Sequence, residues 1–130
     1  MTKDEIIKHW LSSSDNDYRV VESLFDNGHY VWALFVAHLV LEKLLKAHYV
    51  KQKDNNVPFS HDLLKLAERS FLELTDTQKI FLDEMTSCNI SARYPDFKNR
   101  FYKKATKEFT QDKISRLKEF RTWLLQKIKS

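Results

Sequence analysis

The sequence predicts an all-α protein: an antiparallel, up-and-down bundle of about five helices, four long and one short. Three observations carry this. One Gly and two Pro in 130 residues leave little room for the tight turns of an all-β fold. Apolar residues recur at three- and four-residue spacing through most of the chain. Two Thr-x-x-Glu/Gln boxes, Thr2 with Glu5 and Thr75 with Gln78, head such patterns. In these boxes a hydroxyl and a carboxylate or amide satisfy the orphan backbone donors of a first turn.

The first helix opens at the Thr2 box and carries Ile6, Ile7, Trp10, Val21, Leu24 and Phe25. Ser14, Asp17 and Tyr18 hold the same phase across the polar stretch SSSDND, and a break near residues 12–15 is an open alternative. Gly28 after Asn27 suits the left-handed residue just past a helix end. The second helix runs from His29 to about Lys51. Val31, Leu34, Phe35, His38, Leu41, Leu45 and His48 form one stripe, and Trp32, Val36, Leu39 and Val40 another. A helix apolar on most of its circumference is central in a bundle or lies in a subunit contact.

A loop over 51–59 follows, and Ser60 is read as the cap of a short third helix with Leu63, Leu64, Leu66 and Ala67. The Thr75 box opens a fourth helix with Ile80, Phe81, Met85, Cys88 and Ala92 on one side. It ends at Tyr94, because Pro95 disfavours helical geometry in the residue before it. A loop of about 12–14 residues is expected next. The last helix then starts near Thr110, with Ile114, Leu117, Phe120, Leu124, Leu125 and Ile128.

Charged residues are 31% and hydrophobic residues 42% of the chain, a globular composition. The lone Cys88 excludes an intramolecular disulfide and a cysteine-rich zinc site, and fits a reducing compartment. The start, MTKDEIIKHW, has no apolar signal core, and the apolar run over 30–41 is too short for a membrane span. A cytoplasmic protein with no membrane association is expected. The net charge of +4 is uneven: residues 1–96 carry −4 and residues 97–130 carry +8. Such a basic quarter meets phosphates or an acidic partner, or is simply a solvated helix face. Phe97, Phe101, Tyr102 and Phe109 alternate there with Lys98, Arg100, Lys103, Lys104 and Lys107. That pattern suits single-stranded RNA, or a loop with aromatics inward and lysines outward.

No metal, cofactor or catalytic set is read from residue types. The five His include no HExxH pair, and one Gly excludes a glycine-rich phosphate loop. His38 reads as a hydrogen-bonded core histidine and His61 as a residue that fixes the loop before the third helix. Glu42 is expected to pair with Lys46 on its own helix or with Arg93 across the bundle, the structural role being favoured. The corner Arg93-Tyr94-Pro95-Asp96 offers a planar fork for phosphate, a stacking ring with a hydroxyl, and a carboxylate. Arg93, Tyr94, Asp96 and Lys98 are therefore the candidate nucleotide- or phosphate-binding residues. The alternative is an internal Arg93–Asp96 ion pair that locks the loop, with Tyr94 filling core.

Three segments in order, YVWALFVAHLVLEKLLKA (30–47), SHDL (60–63) and SARYPD (91–96), resemble the HEPN family of nucleotide-binding-associated helical domains. The resemblance covers most of residues 1–128 and treats 1–130 as one domain. It implies a homodimer and, in many relatives, a small nucleotidyltransferase as partner in a two-component, toxin–antitoxin-like module. Many members are metal-independent ribonucleases in which an Arg, four to six residues, then a His act on RNA at the dimer cleft. This chain departs from that pattern, because no His follows Arg93. Lys98 stands five residues on, but an ordinary lysine is a poor proton shuttle near neutral pH. The expectation is a non-catalytic nucleotide-binding module. The alternatives are a ribonuclease with a diverged site around Arg93, Tyr94 and Lys98, or an RNA binder using the basic quarter.

Overall fold

Helices account for nearly all of the chain in the computed structural model, which describes residues 1–94 and 99–130 in full and residues 95–98 only as part of a helix. They are α1 (Lys3–Asp26), α2 (Tyr30–Gln52), α3 (Leu63–Arg69), α4 (Asp76–Arg93), α5 (Pro95–Lys104) and α6 (Lys107–Lys129). Four are long, as expected. Pairings across the bundle give their directions. Glu84 meets Lys113 and Phe81 meets Phe120, so α4 and α6 are antiparallel. Asp15 meets Arg121 while the end of α2, at Lys51, meets the end of α6, so α2 and α6 run together and α1 opposes them.

Burial explains which helix is central. Fourteen of the 23 residues of α2 are buried, including Leu34, Leu41, Leu44 and Leu45, against two of 24 in α1. Leu34, His38, Leu41, Leu45 and His48 of one stripe are buried, whereas Trp32 of the other is 40% exposed, and α2 packs against α1, α3, α4 and α6. Each fully buried Leu contributes about 1.5–3 kcal/mol of transfer free energy, so α2 dominates the core.

The polar stretch SSSDND does not break α1. Ser14 is fully buried and its Oγ donates to the Val40 carbonyl of α2 at 2.8 Å. Asp15 pairs with Arg19 and with Arg121 of α6, and Asp17 pairs with Lys43 of α2 at 2.6 Å. Ser14, Asp15 and Asp17 serve as partners between helices, and the backbone stays helical through the stretch.

Both capping boxes form as expected. Three boundaries differ. The cap of α3 is Asp62, whose side chain accepts from the Lys65 amide at 3.1 Å, while Ser60 accepts from the Asp62 amide one step earlier. The last helix starts three residues before Thr110, because Thr106 caps it. The expected loop after Tyr94 contains a helix, α5. Pro95 does end α4, but it also stands at the start of α5, where its missing N–H costs nothing. Phe101 and Ala105 then bury against the core and hold α5 on the bundle.

Candidate functional site

Arg93 is the last residue of α4 and is exposed. Its guanidinium carbon lies 5.7 Å from the Tyr94 ring centroid, within cation–π range. Its Nη1 is 3.5 Å from Asn89 Oδ1, the outer limit of a hydrogen bond. Tyr94 is 49% exposed, so it does not fill core as one sequence reading had it. Asp96 and Lys98 lie outside the described residues, and so does the Arg93–Asp96 pair. Glu42 takes Lys46 rather than Arg93 as its lysine or arginine partner among the described residues.

A second partner of Glu42 was not foreseen. His61 Nδ1 donates to Glu42 Oε1 at 2.6 Å, while Lys46 Nζ stands 3.4 Å from Oε2. The backbone of His61 is held as well, because its carbonyl accepts from His38 Nε2 at 2.7 Å. Glu42 is buried at 5% exposure, whereas the His61 side chain is 49% exposed. A buried carboxylate therefore orients a half-exposed imidazole whose Nδ1 is committed and whose Nε2 has no hydrogen bond among the described residues. Phe59, 95% exposed, stands edge-on to the His61 ring at 5.8 Å.

His38 lies next to this pair, its ring 6.3 Å from that of His61. Donation to a carbonyl fixes its proton on Nε2, so its buried Nδ1 is bare and unpartnered among the described residues. Burial, above all, holds its pKa below the ordinary range. The hydrogen bond to His61 and the Glu42 charge oppose that shift, while the nearby His61 and Arg93 add to it. His61 before α3 thus bonds Glu42 of α2 next to the buried His38, and the charge of Arg93 of α4 acts on His38 too. Glu42 and His61 are 19 residues apart on different elements, so no spacing announces the contact. The available signal was Glu42 itself, a carboxylate on an apolar helix that must find partners when buried.

Chemically, the end of α4 offers a planar, permanently charged fork and an exposed tyrosine ring, and the Glu42–His61 pair offers an oriented imidazole. That set suits a phosphate with an adjoining base or sugar. No group of His, Cys, Asp and Glu among the described residues has the arrangement of a metal site.

The fold and these residues define an all-α bundle with an exposed Arg93–Tyr94 pair at the end of its fourth helix and a Glu42–His61 pair linking its second helix to the loop before its third. The family model described as HEPN domain matches residues 7–128, and the chain belongs to that family. The crystal structure of TT1696 from Thermus thermophilus has a similar fold, with a TM-score of 0.79. The two share 18% identity over 93% of this chain and 97% of that one. Among curated proteins none matches.

Proposed function

We propose that the chain is a nucleotide-binding HEPN module that holds a phosphate group at Arg93 and His61. Its expected setting is a cytoplasmic homodimer that partners a small nucleotidyltransferase in a two-component, toxin–antitoxin-like system. The observation that carries the reading is the Glu42–His61 pair, which presents an ordered imidazole, while Arg93 is a permanent cation whose charge, like His61, acts on His38. Holding a polar side chain ready reduces the entropy cost of binding a ligand. Titration calorimetry with a panel of nucleotides including ATP tests it. Binding by the wild type is expected to weaken at least about tenfold in Arg93→Gln, the loss of one charge-assisted pair. Glu42→Ala is expected to weaken it less, since that change frees His61 without removing it. Absence of heat with every nucleotide would remove the reading.

The same pair favours a second reading, metal-independent RNA cleavage. The sequence lacks a His at the usual distance after Arg93, but a carboxylate-oriented His61 supplies an imidazole from another element. An imidazole there would take the proton of a 2′-hydroxyl as its oxygen attacks the adjoining phosphorus, and Arg93 would stabilise the charge on the phosphoryl oxygens. The P–O5′ bond would break with the imidazolium returning the proton to the leaving 5′-oxygen, which leaves a 2′,3′-cyclic phosphate. Incubating folded protein with RNA and a chelator, beside His61→Ala, separates the two. Cleavage lost in the variant favours a nuclease, and intact RNA leaves the binding module.

A further inference from the structure

The basic quarter of the chain builds a second polar cavity, away from Arg93. It lies between α4, α5 and the start of α6, with a volume near 220 Å³. Ser87 and Ser91 line it from α4, Arg100 and Lys104 from α5. At about 100° per residue along a helix, Ser87 and Ser91 fall on roughly the opposite side of α4 from Asn89 and Arg93. The cavity therefore shares a helix with the Arg93 corner but no face.

Three observations point to an anion. The hydroxyls of Ser87 and Ser91 make no hydrogen bond, and Arg100 no ion pair, among the described residues. Lys104 is held over the Phe109 ring at 5.5 Å, which keeps its amine at the cavity without neutralising it. Glu84, the carboxylate on the wall, is already paired at 2.7 Å with the buried Lys113. Among the described residues two positive charges and two free donors thus remain uncompensated. Cys88 on the floor is not the reactive group, since burial pushes its thiol up to about 11. Cavities that enclose a drug-sized ligand run to about 300–1,000 Å³, so this one suits a phosphate and its first neighbours rather than a whole nucleotide.

We propose that this cavity is a phosphoryl-binding site, with Arg100 and Lys104 as charge partners and the Ser87 and Ser91 hydroxyls as donors. It stands independently of the Arg93 corner. The test uses two probes, a short single-stranded RNA followed by anisotropy and inorganic pyrophosphate followed by calorimetry. They are applied to the wild type, to an Arg100→Gln/Lys104→Gln double variant, to Ser87→Ala and to Arg93→Gln. Arg100, Lys104 and Ser87 are exposed, and circular dichroism checks that helical content is kept. The double variant is expected to lose about tenfold or more in affinity, with a smaller loss in Ser87→Ala. On RNA, the slope of log affinity against log salt is expected to fall by about 0.7, one phosphate's share for a single strand. A loss seen with RNA identifies a polynucleotide backbone, and one seen with pyrophosphate alone identifies the phosphate tail of a free ligand. The site is overturned if the wild type binds neither probe, or if the double variant binds both unchanged across the salt range. It is equally overturned if all binding disappears in Arg93→Gln and none in the double variant.

Discussion

A single buried histidine shows how the site and the stability of the fold are linked. His38 is fully buried in α2, gives its Nε2 proton to the His61 carbonyl, and is kept neutral mainly by burial. Its folded pKa therefore lies below the ordinary 6.5. In the unfolded chain it takes up a proton more readily than in the native one. Stability from this term is complete above the unfolded pKa and is lost as pH falls from there through the folded pKa. His48 adds to the same trend: burial and the nearby Lys127 and Lys51 lower its pKa, and its Nδ1 donates to Ser70 Oγ at 2.8 Å. The urea midpoint is therefore expected to be flat above about pH 7 and to drop as the solution is acidified below about 6.5. His38→Gln keeps an N–H for the His61 carbonyl but does not titrate, so its profile is expected to be shallower. Identical profiles for the two proteins would mean that His38 is not held neutral by its surroundings. At this scale the sequence was half legible. His38 read as a hydrogen-bonded core residue because an imidazole in an apolar stripe needs a partner. That the partner is the backbone of His61, and that Glu42 holds the other side of that residue, depends on how the loop folds back over α2.

At the scale of the element, two helix ends use the same backbone motif with different residues. At the end of α1, the His29 amide bonds the Leu24 carbonyl at 2.8 Å and the Gly28 amide bonds Phe25 at 3.0 Å, with Gly28 at φ +79°. At the end of α3, Leu72 bonds Ala67 at 3.1 Å and Phe71 bonds Glu68 at 3.0 Å, with Phe71 at φ +60°. This is the Schellman arrangement, and it calls for a left-handed residue that glycine adopts most easily. Gly28 was legible for that reason, and Phe71 was not, because nothing in its residue type suggests the conformation. A Cβ at Gly28 meets no atom within 4 Å, so Gly28→Ala is expected to cost only the backbone term, about 1 kcal/mol. In Phe71→Gly, about 1–2 kcal/mol of left-handed strain is relieved. Against that, the unfolded chain gains freedom worth about 0.4–1 kcal/mol. The contact of Lys53 with the ring, at 5.3 Å, is lost too, worth about 0.5–1 kcal/mol at an exposed site. The net change is expected to be near zero. Denaturation of the two variants side by side checks the asymmetry. A loss at Phe71 as large as at Gly28 would show that the ring packs more than its 73% exposure suggests. The missed α5 has the same kind of cause, since Pro95 carries a stop signal and a start signal in one residue.

At the scale of the whole molecule, the bundle was legible because the long helices are apolar at helical spacing and their boxes mark where they begin. What the sequence left open was how polar residues join the helices. The stretch SSSDND read as a weak point of α1, and it proves to be the seam between α1, α2 and α6. Asp15 and Asp17 tie α1 to Arg121 and Lys43 at partly exposed positions, where each pair contributes about 0–1 kcal/mol. Ser14 lies deeper, fully buried with its Oγ 2.8 Å from the Val40 carbonyl. At this fully buried position against α2 its small size is expected to matter more than its hydrogen bond. The Val40 carbonyl lies inside α2 and has the helix ladder for its other partner. Ser14→Ala therefore leaves no buried acceptor stranded and is expected to cost about 1 kcal/mol or less. Ser14→Leu must push the two helices apart or distort rotamers, at about 1–3 kcal/mol or more. Since the displacement would move α2, which carries His38 and Glu42, nucleotide binding is expected to fall in Ser14→Leu and to be kept in Ser14→Ala. Thermal denaturation and calorimetry on both variants decide it. Equal stability losses in the two would mean that the hydroxyl, and not the close approach of the helices, is what Ser14 supplies.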